Sequence, residues 1–125
     1  MPLSIASLAR ADVDETTGIA GFIRDQLVRT ISGFSEVDRA VIYGSRARGD
    51  FARYSDIDIA LYSDRVSMSD VARIKDALDD SFIVFPVDIT AVSKLPVNSS
   101  MRRTIDRDGI TIYDRASDSS PATAR

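Results

Sequence analysis

The residues best suited to chemistry lie in one stretch, Gly44-Ser45-Arg46-Ala47-Arg48-Gly49 followed by Asp56-Ile57-Asp58. Glycine lets the backbone approach an anion closely, and successive N–H groups can form an anion nest. The Ser45 hydroxyl adds a donor. Arg46 and Arg48 stand two apart, so one or both could reach a triphosphate tail. Gly44 to Gly49 therefore reads as a phosphate-holding turn, with Gly44, Ser45, Arg46 and Arg48 as its candidate ligands. Asp56 and Asp58 alternate with Ile57, and on a strand both carboxylates leave the same face. Two carboxylates set that way can bracket divalent ions. Mg2+ takes hard oxygen ligands and keeps places open for waters and substrate phosphates. Two such ions about 3.5–4 Å apart can clamp the attacking and leaving oxygens of an in-line phosphoryl displacement. The protein then mostly positions groups and neutralises charge.

A third carboxylate is Asp88, in Phe85-Pro86-Val87-Asp88-Ile89. A charge among such neighbours calls for a partner or a metal, and the neighbouring residue types predict burial. The plainer reading is an edge carboxylate in water. Plain readings exist for the other residues too. Gly44-Ser45 alone could be an ordinary tight turn, and Arg46 and Arg48 could be solvated or paired with surface acids. Asp50 and Arg53 read as loop surface, Ser55 as a residue that caps or orients Asp56, and Phe51 and Tyr54 as core, with the lining of a pocket or a partner surface as the alternative.

Composition narrows the chemistry. The 125 residues fit one domain, long enough to bury a core without staples. With no cysteine and no histidine, thiolate sites, disulfides and imidazole bases are excluded. Oxygen donors remain, and the chain has 17 Asp against 2 Glu. Its 14 Arg outnumber 2 Lys, which suits bidentate phosphate or carboxylate contacts. A net charge of −3 argues against a general nucleic-acid binder. The start lacks a signal-peptide pattern and no apolar run approaches membrane-spanning length, so a soluble, cytoplasmic protein without membrane association is expected.

These side chains need elements to hold them. Asp12 and Glu15 have capping-box spacing, and Ile19, Phe22, Ile23, Leu27 and Ile31 recur at helical spacing up to Gly33. This predicts a helix over about 13–32, weakened in its first half by Gly18 and Gly21. Strands are predicted over 36–43, ending at the Gly44 turn, and over 56–62, with Ile57, Ile59 and Leu61 facing away from the Asp pair. Ser67 and Asp70 can cap a helix carrying Val71, Ile74 and Leu78. A third strand spans 82–90, and Pro86 places it at an edge or gives it a break. A short helix from Ser99 or Ser100, with Met101 and Ile105 on one face, stops at Gly109. A last strand spans 110–113. Residues 1–114 are expected to form one domain and 115–125 a disordered tail. The order α-β-β-α-β-α-β predicts an α+β domain with a small mixed sheet flanked by helices.

The run Tyr43 to Gly49, then Ser55-Asp56-Ile57-Asp58, then a separate strand Asp, resembles the minimal nucleotidyltransferases (MNT) of the DNA polymerase β-like superfamily. The resemblance covers roughly residues 15–113, and its specific part is 43–58 and 88. It implies a nucleotidyltransferase-like sheet with Gly44 and Ser45 at the nucleotide phosphates. It also implies that Asp56 and Asp58 hold two Mg2+ and that Asp88 completes the site as metal ligand and candidate base. An acceptor hydroxyl would attack the α-phosphate of a nucleoside triphosphate, with ATP as the expected donor, and pyrophosphate would leave. Stand-alone domains of this length are similar to the antitoxin half of HEPN/MNT toxin–antitoxin pairs, in which AMP is transferred to a tyrosine of the HEPN toxin. The resemblance thus implies a HEPN-type toxin as partner. Two alternatives stay open: a non-catalytic antitoxin that neutralises its toxin by association, and a nucleotidyltransferase acting on a small molecule or RNA.

Overall fold

A computed structural model describes residues 16–118 of the chain. Four strands form one mixed sheet: β1 (Arg39–Tyr43), β2 (Ile57–Tyr62), β3 (Val87–Ala91) and β4 (Ile110–Asp114), in the order β3-β2-β1-β4. β1 pairs antiparallel with β2 and with β4, and β2 pairs parallel with β3. Helix α1 (Gly21–Ser32) precedes the sheet, and a single turn, α2 (Ser45–Arg48), leaves β1. Helix α3 (Met68–Asp79) makes the crossover that a parallel pair requires. A 3-10 turn (Val92–Lys94) follows β3, and helix α4 (Ser100–Asp108) and one helical turn, α5 (Arg115–Asp118), flank β4.

Period-2 alternation splits the sheet into two faces. On one face Ala40, Ile42, Ile57, Ile59, Leu61 and Val87 bury against Ile23, Leu27 and Ile31 of α1 and Val71, Ile74 and Leu78 of α3. The other face is lined by Val41, Tyr43 and Ala60, which pack with Val92 and with Ile105 of α4. Asp58 shares that second face, one step along β2 from Ala60 and paired with Tyr43 of β1. The larger part of the core therefore lies on the face away from the acids, with a smaller cluster beside them.

Several expectations need correction. The helix predicted over 13–32 is interrupted: Gly18 has φ +68, outside the right-handed helical region, and α1 begins only at Gly21. The capping pair Asp12 and Glu15 lies outside the described residues. Strands expected from 36, 56 and 82 begin at Arg39, Ile57 and Val87. Pro86 stands just before β3, whose position at the sheet edge agrees with a residue that cannot donate to a ladder. Ile105 is buried while Met101 is exposed, so the apolar stripe of α4 is one residue wide. Residues 115–118 form a helical turn, and the rest of the expected tail, 119–125, lies outside the described residues. The caps held: Ser67 and Asp70 form a reciprocal capping box, with Asp70 N donating to Ser67 Oγ at 3.1 Å and Ser67 N to Asp70 Oδ2 at 3.0 Å. Among the described residues no helix is long and apolar enough to cross a membrane.

Candidate active site

The site is built where β1 ends. Gly44 has φ +76 and ψ −154, a conformation that non-glycine residues rarely adopt. It turns the chain straight into α2, whose leading N–H groups have no carbonyl one turn earlier to bond. Gly49, with φ +87, closes the turn, and its amide donates to Ser45 O at 2.9 Å. The segment is thus one glycine-bounded helical turn. A methyl group at Gly44 would stand 2.5 Å from Asp58 Oδ2. The Asp58 carboxylate lies directly on the glycine, so the turn and this one acid stand against each other.

β2 carries Asp58 in register with Asp88 on the parallel neighbour β3, one strand spacing or about 4.8 Å away. Both side chains project from the same face. Asp56 lies just before β2, exposed, as is Asp88, whereas Asp58 is half-buried. The expectation of a buried Asp88 is corrected here: at the sheet edge, one flank of the residue meets solvent. Burial raises the Asp58 carboxyl above the usual carboxylate range. The Asp88 and Asp56 carboxylates raise it further, and Arg48 opposes them. Tyr43, paired with Asp58 across β1 and β2, shares a hydrogen bond of 3.1 Å with Thr90. Its phenol is raised by burial and then by Asp58 and Asp88.

Crowded like charges in a half-buried place need a cation. Among the described residues no group of three acids is drawn together closely enough to hold a metal by itself. The donor set still fits Mg2+, which commonly binds through one or two carboxylates and completes its shell with waters and substrate phosphates. Asp58 and Asp88 would be the paired donors and Asp56 the flanking one.

The two arginines separate. Arg48 is partly exposed, pairs with Asp50 at 3.1 Å and acts electrostatically on Asp58. Arg46 is only 1 % exposed. Its Nη1 donates to Thr17 O at 2.7 Å and its Nε to Ser55 O at 3.1 Å. Its guanidinium carbon lies 4.8 Å from the Phe51 ring centroid and 4.6 Å from that of Phe85. Composition could not separate them, because an arginine's type does not say whether it is buried. Thr17, Gly18, Phe51 and Phe85, which surround Arg46, had no chemical signal. Their one hint was a glycine inside a helical pattern. Tyr54, read as core, is exposed, and Phe51 packs against Arg46. Ser55 is structural as expected: its Oγ accepts from Ala52 N at 2.7 Å.

A four-stranded mixed sheet with helices, a glycine turn at the end of β1 and acids on β2 and β3 defines an α+β, nucleotidyltransferase-like fold. The family model "Polymerase beta, Nucleotidyltransferase" matches residues 25–118, and the chain belongs to that family. None of the curated proteins matches it. Among solved structures, a toxin–antitoxin with AMP-PNP is similar at 17% identity and TM-score 0.57, covering 76% of each chain. A tri-AMPylated Shewanella oneidensis HEPN toxin in complex with MNT antitoxin is similar at 14% identity and TM-score 0.51, covering 78% of this chain and 74% of that one. A putative nucleotidyltransferase from Sulfolobus solfataricus shares 18% identity at TM-score 0.51, over 86% of this chain and 89% of that one. At such identities the likeness is one of fold.

Proposed function

We propose that the protein is a Mg2+-dependent nucleotidyltransferase that moves AMP from ATP to a hydroxyl of a partner protein, a tyrosine of a HEPN-type toxin, and thereby acts as an antitoxin. The observation that carries this reading is the contact of Asp58 with Gly44 while Asp88 stands beside Asp58 on the next strand. It supports a site in which the Gly44 turn would take a phosphate while Asp58 and Asp88 share a metal ion.

Mg2+ held by Asp56, Asp58 and Asp88 would supply charge neutralisation at the triphosphate. The chain's own residues do the positioning. Gly44 lets the phosphates come against the backbone, the Ser45 hydroxyl donates to a phosphate oxygen, and Arg48 leaves Asp50 to add a cation. The acceptor hydroxyl oxygen attacks the α-phosphorus and forms a new P–O bond. The bond from the α-phosphorus to the bridging oxygen breaks, and pyrophosphate leaves with that electron pair. The hydroxyl proton passes to Asp88, which is exposed and therefore reachable by a protein acceptor. Arg46 makes no phosphate contact on this reading, because its guanidinium is buried and its Nη1 and Nε bond carbonyls inside the fold.

The toxin assignment rests on the likeness of fold to chains from toxin–antitoxin structures. The test is to incubate the protein with α-labelled ATP, Mg2+ and the product of the neighbouring gene, then to locate the label by mass spectrometry. Label on a toxin tyrosine, lost with Asp58→Ala, is the expected result. Label on RNA or a metabolite instead would move the acceptor class. The acidic charge balance favours one other reading, neutralisation by binding alone. In that case a Ser45→Ala, Asp56→Ala double variant would protect cells as well as the wild type.

A further inference from the structure

We infer that Arg46 is a positioning residue, a buried guanidinium that sets the acids against the phosphate turn. The inference rests on the proposed nucleotidyl-transfer site and deepens it. Four segments meet on this one side chain. It leaves α2, the phosphate turn itself. Its Nε bonds the carbonyl of Ser55, in the peptide unit that leads into Asp56. One ring stacked on it is Phe85, which with Pro86 leads into the strand of Asp88. The other ring is Phe51, in the loop joining the turn to the Asp pair. Nη1 fixes the carbonyl of Thr17, next to Gly18. That glycine lies so close to the Phe51 ring that a methyl there would collide with it, and its φ of +68 independently disfavours other residues.

The loop before Asp56 has few other anchors. Its turn closes on itself through Ser55 N to Ala52 O at 3.1 Å and Ala52 N to Ser55 Oγ at 2.7 Å. Asp50 ties the start of the loop to the phosphate turn, through its N to Ser45 O at 3.1 Å and its carboxylate to Arg48; nearer Asp56 the ties are the Arg46 bond and the bond from Ile57 N to Pro86 O at 2.8 Å. The guanidinium also bears a cost. Burial pulls it below its ordinary value, and its Nη2 is buried without a hydrogen-bond partner among the described residues. A planar fork clamped between two rings is something lysine cannot reproduce, since its ammonium is a single point charge on a flexible stem. A side chain needed only to fill space would be replaced by an apolar one without that cost.

The test compares wild type with Arg46→Lys, Arg46→Met and the milder Phe85→Leu, which leaves the guanidinium and both its carbonyl bonds in place. The first readout needs no metal: amide hydrogen exchange of residues 52–58 in the metal-free chain, well below the melting temperature. Faster exchange confined to that segment is expected for both Arg46 variants, with Phe85→Leu in between. The second is Mn2+ titrated by calorimetry, and kcat and KM for ATP in the transfer assay. Displacing an acid by about 1 Å predicts a loss of about a hundredfold in kcat, weaker Mn2+ binding and a much smaller change in KM. If both Arg46 variants fail to fold, Phe85→Leu alone decides by the same readouts. Variants that melt earlier but keep wild-type exchange at 52–58, Mn2+ affinity and kcat would overturn the positioning role. Wild type that binds no Mn2+ and transfers nothing would instead sink the proposed function, leaving the exchange result to judge Arg46 by itself.

Discussion

Asp58 is the residue on which the structure concentrates most constraint. It presses on Gly44, pairs across the sheet with Tyr43 and stands beside Asp88. Its folded carboxyl is raised, first by burial and then by its two acidic neighbours. An acid whose folded value lies above its unfolded one destabilises the fold once ionised. That penalty is full above the folded value, fades as pH falls through it, and is gone below the ordinary Asp range. Asp58→Asn should therefore raise the melting temperature of the metal-free chain at neutral pH. The gain should vanish in acid, as calorimetry in EDTA across pH would read, and transfer should be lost at every pH. Gly44→Ala tests the same contact from the other side. It forces a left-handed φ on alanine and drives a methyl into the carboxylate, so about 1–3 kcal/mol of stability should go, read by urea denaturation, together with most of the nucleotide affinity. The Asp pair and the glycine turn were legible in the sequence because carboxylate spacing on a strand and a Gly-Ser after a strand have direct geometric meanings. The exposure of Asp88 was not legible, because its apolar neighbours could not say that β3 is an edge strand. Nor was the burial of Arg46, whose two carbonyl acceptors are 29 and 9 residues away.

The elements were legible to the extent that local signals set them. Ser67 and Asp70 marked the start of α3, and Gly109 marked the end of α4. Helix α3 sits against the face of the sheet that lacks the acids, so its cap should matter to stability alone. Ser67→Ala should cost about 1 kcal/mol by denaturation, with transfer unchanged. The Ser67 amide holds the Asp70 carboxyl below the usual carboxylate range, with the Ser67 hydroxyl and Arg73 adding to this. Its contribution is complete above the ordinary Asp value and is lost as pH falls through the depressed folded one. The destabilising effect of Asp70→Asn should accordingly shrink in acid. Strand starts were placed too early at 36, 56 and 82 because β-forming residue types continue into the loops. Backbone pairing, a tertiary property, decides where each ladder begins. The break at Gly18 was read as mere weakness in a helix. Its left-handed turn is needed where Phe51 and Arg46 pack, and no local pattern encodes that meeting.

At the scale of the whole molecule, stability and chemistry occupy opposite faces of one sheet. Helices α1 and α3 cover one face, while the other carries a smaller cluster around Ile105 and Val92 together with the charge around Asp58. The α+β class and the mixed sheet followed from element order, whereas strand order β3-β2-β1-β4 had no sequence signal. We propose that Gly44, Ser45, Asp56, Asp58 and Asp88 form one divalent-metal nucleotide site. The most direct measurement is calorimetric titration of ATP into wild type and into Asp58→Asn, each with Mg2+ and with EDTA. Binding by wild type with Mg2+ only, and its loss in Asp58→Asn, is the predicted result. Equal ATP binding in EDTA, or by the Asp58 variant, would contradict it.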